Sequence, residues 1–420
     1  MIQRQWQKAI ELFNEYPRAF WKVIFITFID RVGGALIFPF FALYLTSKFN
    51  VGMADVGILF ATFALSSFAG NAIGGALTDR FGRKKIIIFG LITSSLSLVA
   101  MGFADSFQTF FALALFTGIL TDVAGPAREA MIADVLPEEK RASGYGILRV
   151  AFNLSVTIGP AIGGLLAGAS YLLLFISDAV ISLLAVVLVA ALLPETKPQR
   201  HADAPQETVA KTFAGYGKVF RDLAFMLFLG FVLLQVLAYM NMTTTLGVYL
   251  RDQFGTPAPK YGLLLSLNAA MVVLFQFAIT RRVEKFSPLL MMGLGTFLYA
   301  IGFSMYGYVS SYGMFVVAIV IITLGEMIVA PVQQALTAKF APEDMRGRYM
   351  AVAGLAWAIP LMIGPYLAGL IIDGPRPEQV WYIAGFIGLL SALGFLNLNR
   401  AAVARRRGEQ TQPQPAPETT

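Results

Sequence analysis

The sequence has no cysteine and a single histidine, His201. Without thiols there is no disulfide framework, no thiolate metal site and no thiol nucleophile. One histidine excludes an H-E-x-x-H zinc site, and neither a G-x-S-x-G elbow nor a Walker loop occurs. No enzyme activity, cofactor or metal is therefore expected. Charge is scarce as well: Asp, Glu, Lys and Arg make up 14% of 420 residues, against 57% hydrophobic. A soluble domain carries about 25% charged residues. In place of charge stand long apolar runs such as "FWKVIFITFIDRVGGALIFPFFALYL" and "YLLLFISDAVISLLAVVLVAALL". Each can cross a hydrocarbon core of roughly 30 Å as a helix. The first continues past the length of a signal-peptide core and has no small-residue cleavage site, so it reads as a retained span.

Twelve such segments follow one another, at about 20–45, 54–77, 85–104, 107–127, 143–167, 170–193, 222–250, 260–280, 288–309, 312–336, 347–372 and 380–398. One long polar interruption splits them six and six. The expected organisation is a cytoplasmic amphipathic segment (1–19), an N-terminal six-helix bundle (20–193), a cytoplasmic linker (194–221), a C-terminal six-helix bundle (222–400) and a disordered cytoplasmic tail (401–420), rich in proline and glutamine. The fold class is an all-α membrane protein.

The net charge of +7 would suit nucleic acid, but its distribution argues otherwise. Lys and Arg gather at both termini and in loops after even-numbered spans. The remaining loops hold only Lys48, Arg251, Lys260 and Arg376, and Arg31 and Arg149 lie inside spans. This is the positive-inside pattern, which places both termini and the linker in the cytoplasm. The partners it implies are a lipid bilayer, not nucleic acid.

The halves repeat. A shift of 205 residues, without gaps, lays Tyr44-Leu45 on Tyr249-Leu250, Gly57 on Gly262, Pro126 on Pro331, Arg141 on Arg346 and Gly159-Pro160 on Gly364-Pro365. Six helices per half give both repeats the same orientation, with a pseudo-symmetry axis along the membrane normal.

The stretch "GGALTDRFGRKK" between spans two and three carries Gly75, Asp79, Arg80, Gly82 and Arg83. With the six-plus-six topology and the repeat, it resembles the signature of the major facilitator superfamily. The fold so implied is twelve transmembrane helices in two six-helix pseudo-symmetric bundles. "SVTIGPAIGGLL" in span five (Gly159, Pro160, Gly163, Gly164) is similar to a motif of drug–proton antiporters, and "TLGEMIVAP" in span ten resembles the matching segment of proton-driven multidrug exporters. Span four holds Asp122 where many such exporters carry an arginine. Glycines 75 and 82 are expected to permit a tight turn with close backbone approach. Asp79 is expected to accept hydrogen bonds at a helix start, which the resemblance assigns to helix eleven, while Arg83 reaches Asp134. Together these residues would form a conformational latch.

Ionisable groups inside spans mark a pathway or relay. They are Asp30 and Arg31 in span one, Asp122 in span four, Arg149 in span five, Asp178 in span six and Glu326 in span ten. Asp30, Arg31, Asp122, Arg149 and Glu326 are the candidates for proton coupling or substrate contact. Structural ion pairs are the alternative, which suits Asp178 best. Low dielectric penalises the ionised form of a carboxyl, so Glu326 would give up a proton when a cation arrives. Two transport readings stay open: proton-coupled export of apolar or cationic small molecules by alternating access, and proton-coupled or facilitative transport of one metabolite such as a sugar or amino acid. A receptor or channel is more remote. A bacterial inner (cell) membrane location and a monomer are expected.

Overall fold

The computed structural model describes residues 13–196, 216–342 and 345–411. Most of the expected N-terminal segment, the middle of the linker and the end of the tail lie outside them. Twelve helices are long and apolar enough to span a membrane: α1 Arg18–Phe49, α2 Met53–Phe81, α3 Arg83–Gly102, α4 Phe107–Val135, α5 Glu139–Ala169, α6 Tyr171–Leu192, α7 Leu223–Thr244, α8 Ala258–Val283, α9 Pro288–Met305, α10 Tyr312–Phe340, α11 Arg348–Ile372 and α12 Gln379–Ala402. The last helix runs on to Thr411, into the stretch whose composition suggested disorder. No strand occurs among the described residues. In hydrocarbon each backbone N–H and C=O needs a partner within the segment, which leaves the helix as the available form.

Local sequence sets the helix ends. Ser106 and Ser311 cap α4 and α10, accepting from the N–H groups of Thr109 and Met314. Asn50 (φ 51°) closes α1 in the left-handed region. Gly255 (φ 60°) closes the short helix Leu246–Phe254 that continues α7. These two positions are 205 residues apart, so the repeat extends to backbone conformation. The interior breaks match too: a 3-10 turn at Phe38–Phe40, around Pro39, interrupts α1, and Thr245 separates α7 from its continuation.

The chain forms two compact units that do not coincide with the two sequence halves. The first comprises the described residues of Met1–Pro205 together with Met242–Val273 and Leu361–Pro375. The second comprises those of Gln206–Asn241, Leu274–Pro360 and Arg376–Thr420. In the first, α1 packs on α5 and α6, α3 on α6, and α2 on α4. Phe20, Ile87, Met131, Ile132, Ala185 and Val189 belong to its buried core. In the second, α9 packs on α10 and α12. Large apolar side chains such as Phe68, Leu274 and Phe277 point outward, as suits a lipid solvent.

Candidate functional site

Three groupings lie in the first unit. At the junction of α2 and α3, Gly82 takes φ +97°, a conformation that favours glycine. A Cβ there would meet the Glu195 carboxylate at 2.5 Å. That carboxylate accepts from the backbone N–H groups of Arg83 (2.7 Å) and Lys84 (3.4 Å), capping the start of α3. Arg83 is buried, and its Nε donates to Asp134 at 3.0 Å. The hydroxyl of Thr196 donates to the same carboxylate oxygen at 3.0 Å. Asp79 is 81% exposed at its side chain, with Arg83 at 3.7 Å. Arg80 is exposed, its guanidinium over the Phe81 ring.

Gly75 departs from expectation. It lies inside α2 with nothing near its missing Cβ, so it makes neither the turn nor a close approach. The close approaches belong to Gly70 and Gly74, where a Cβ would sit 2.1 Å and 2.3 Å from the carbonyl oxygens of Ile119 and Val123 in α4.

The second grouping is the charge cluster inside the helices. Asp30 pairs with Arg128 at 2.8 Å, both side chains about one-seventh exposed (14% and 15%). Ser182 Oγ donates to Asp30 at 3.4 Å. Arg31 lies within electrostatic range of Asp30, Arg128, Asp122 and Glu129, and its guanidinium stands over the Phe152 ring. Arg149 is exposed and makes no ion pair among the described residues, so it does not join the cluster. Arg128 went unrecognised in the sequence. The apolar run of span four ends at 127, which makes Arg128 a loop charge by sequence. Instead α4 continues to Val135, because Ala127, Met131 and Ile132 bury a helical stripe beyond Pro126.

The third grouping is the glycine face of α5. A Cβ at Gly159 would lie 2.4 Å from that of Ala35, and one at Gly163 would lie 2.4 Å from the Leu36 carbonyl oxygen, both on α1. Gly164 faces α8, where a Cβ at Gly164 would lie 3.1 Å from the Gly262 Cα, and a Cβ at Gly262 would meet the Pro160 carbonyl oxygen at 2.7 Å. The repeat-related seam joins α2 to α11: a Cβ at Gly57 would meet Tyr366 backbone at 2.3 Å, and one at Gly369 would meet the Ala54 nitrogen at 2.4 Å. Asp373, just past α11, accepts from the N–H groups of Met53 and Ala54, each at 2.8 Å. Nearby, Arg251 donates to Leu43 O, Thr46 and Ser47 at the end of α1.

The second unit holds Glu326. Tyr239 hydrogen-bonds to it, and Tyr299 lies within its electrostatic range. The Tyr239 ring stands 5.5 Å from that of Tyr299 and 6.4 Å from that of Trp357. Amides bond to the same helices: Thr296 of α9 donates to Gln235 of α7 at 3.3 Å, and Gln276 of α8 donates to the Met327 carbonyl of α10 at 2.9 Å. A half-buried acid beside aromatic faces can attract an apolar cation through charge and ring quadrupoles together. Among the described residues no group of three His, Cys, Asp or Glu could hold a metal ion.

Comparisons with known proteins agree with this architecture. A "Na(+), Li(+), K(+)/H(+) antiporter" of Planococcus maritimus is 29% identical over 357 residues, covering 79% of this chain and 84% of the relative. "Multidrug resistance protein MdtH" of Shigella flexneri is 25% identical, covering 89% and 93%. A POT family transporter solved with 5-aminolevulinic acid superposes with a TM-score of 0.74 at 16% identity, covering 92% and 96%. The nucleoside transporter NupG also reaches 0.74, at 11% identity, covering 91% and 100%. At those identities the structures speak for the fold alone. The family profile of the Major Facilitator Superfamily matches residues 23–258 and 231–419. Twelve spanning helices, a 205-residue repeat and a profile covering nearly the whole chain lead to one assignment: the protein is a multi-pass membrane transporter that belongs to the Major Facilitator Superfamily.

Proposed function

We propose that the protein exports apolar or cationic small molecules in exchange for protons, by alternating access in a cell membrane with both termini cytoplasmic. The observation that carries this reading is Glu326, hydrogen-bonded by Tyr239 and set beside Tyr299. A carboxyl in that setting takes either a proton or an organic cation, and competition between the two is the simplest coupling rule for an antiporter. The MdtH relatives support the drug reading. A second reading, exchange of monovalent metal cations for protons, is favoured by the antiporter of Planococcus maritimus.

On this reading the α2–α11 and α5–α8 seams close the outer side, and Asp79, Arg83 and Asp134 latch the cytoplasmic side in the alternate state. The test is purified protein in liposomes with an imposed pH gradient. Efflux of ethidium-like dyes driven by the gradient, with little sodium or potassium flux, is the expected result. Flux of metal cations alone favours the second reading. Gradient-independent movement of a sugar or amino acid, with no dye or cation flux, overturns both.

A further inference from the structure

We propose that Asp178 is the proton-binding carboxyl of the first unit, facing the Asp30–Arg128 ion pair; this rests on the proton-coupled reading above. Asp178 lies on α6, and its residue is 6% exposed. Its carboxylate presses on α1 so closely that a Cβ at Gly33 would fall 2.1 Å from Oδ1. Gly33 is one turn from Asp30 on α1, and Ser182 is one turn from Asp178 on α6. The hydroxyl of Ser182 reaches Asp30. Two carboxyl groups therefore share one helix–helix seam.

They are not equivalent. Asp30 has Arg128 at 2.8 Å and the Ser182 hydroxyl. Asp178 has no hydrogen bond or ion pair among the described residues, and its one charged influence is Asp30. The other helices packed on α6 offer no counter-charge. From α3, Ser95 donates to the Ala179 carbonyl, and Lys84 reaches the far end of α6 at Ala190. From α5, Arg149 is exposed and unpaired among the described residues. On α1, Arg31 follows Asp30 and lies within electrostatic range of the α4 groups Asp122, Arg128 and Glu129, and Arg128 is engaged by Asp30.

An ionised Asp178 would add a negative charge with no cation of its own to a seam where Arg128 is already paired with Asp30. Desolvating such a charge is unfavourable. A proton on Asp178 removes it, whereas a proton on Asp30 would break the existing pair. The ligand is thus a proton, and the site is emptied when water or a competing cation reaches the seam.

Two measurements on the full-length protein in lipid need no transported substrate. A hydrophobic carbodiimide forms an N-acylurea at protonated carboxyls in apolar surroundings, and mass spectrometry of the wild type locates it. The expected result is modification of Asp178 that is lost as pH rises. Infrared difference spectra should show a protonated-carboxyl stretch that disappears in Asp178→Asn. Asp178 left unmodified at every pH, with other carboxyls labelled, overturns the proposal, as does an unchanged infrared band in Asp178→Asn. Because the carbodiimide map uses the wild type, a variant that fails to fold does not block the decision. Absence of pH-driven flux alongside labelled Asp178 would sink the antiport reading while leaving the proton site standing.

Discussion

At the scale of single residues, the α2–α3 junction separates a structural role from a conformational one. Arg83 is buried against Asp134, and removing one member of a buried pair strands the other. Such losses run to about 3–5 kcal/mol when burial is complete. Asp134 is 22% exposed at its side chain, so Asp134→Ala should cost about 2 kcal/mol, read as a fall in the thermal midpoint of purified protein. Asp79 is the opposite case. With an 81% exposed side chain, Asp79→Asn should change stability by less than about 0.5 kcal/mol yet slow transport severalfold if it serves the latch. Wild-type transport by Asp79→Asn would make it an ordinary surface charge. At Glu326, Glu326→Gln keeps a hydrogen-bonding partner for Tyr239 but cannot ionise. It should still bind dye while losing most pH-gradient-driven export, and normal export by that variant would remove Glu326 from the coupling route. The Arg83–Asp134 contact was legible in the motif. Arg128 and Glu195 were not: one looked like a loop charge after a proline, and the other sat in a polar linker where no pattern announces a cap.

Helices show what glycine spacing can and cannot tell. Small residues let membrane helices approach, but sequence alone does not say which neighbour each one meets. Gly163 faces the Leu36 carbonyl, and a leucine there has no space without displacing α1 from α5. Gly163→Leu should therefore abolish transport or folding yield, with thermal midpoint and dye flux as readouts. Gly75 is the control within the same chain. Its missing Cβ faces open space inside a helix, so Gly75→Ala should leave stability unchanged or raise it by about 0.5–1 kcal/mol. Loss of stability in Gly75→Ala would show that its surroundings are tighter than this structure has them. The twelve spans, their order and the six-plus-six division could all be read from apolar run lengths. The helix ends could not, because α4 continues through Arg128, whose burial depends on its neighbours.

Over the whole molecule, the repeat was legible because glycines and prolines recur at one offset, and it reappears in the left-handed ends at Asn50 and Gly255. The division into compact units was not legible, since it cuts across α7, α8 and α11 where packing, not chain order, decides membership. That division leads to a last test. At one end of the first unit, Asp373 caps α2 through Met53 and Ala54, supplying acceptors that Gly52 cannot. On the alternating-access cycle proposed above, this end opens in every turnover. The chain has no cysteine, so Ala54→Cys with Asp373→Cys introduces the only thiols. The Asp373 carboxylate lies 2.8 Å from the Ala54 nitrogen, so the two residues are neighbours across the α2–α11 seam, and oxidant or a short thiol crosslinker is used to join them. Oxidation or crosslinking should stop proton-driven transport almost completely, and reduction of the disulfide should restore it. Each single-cysteine variant should be insensitive to oxidant. Transport that continues at the wild-type rate in fully crosslinked protein would mean that this seam stays shut throughout the cycle, and the gate would have to be sought elsewhere.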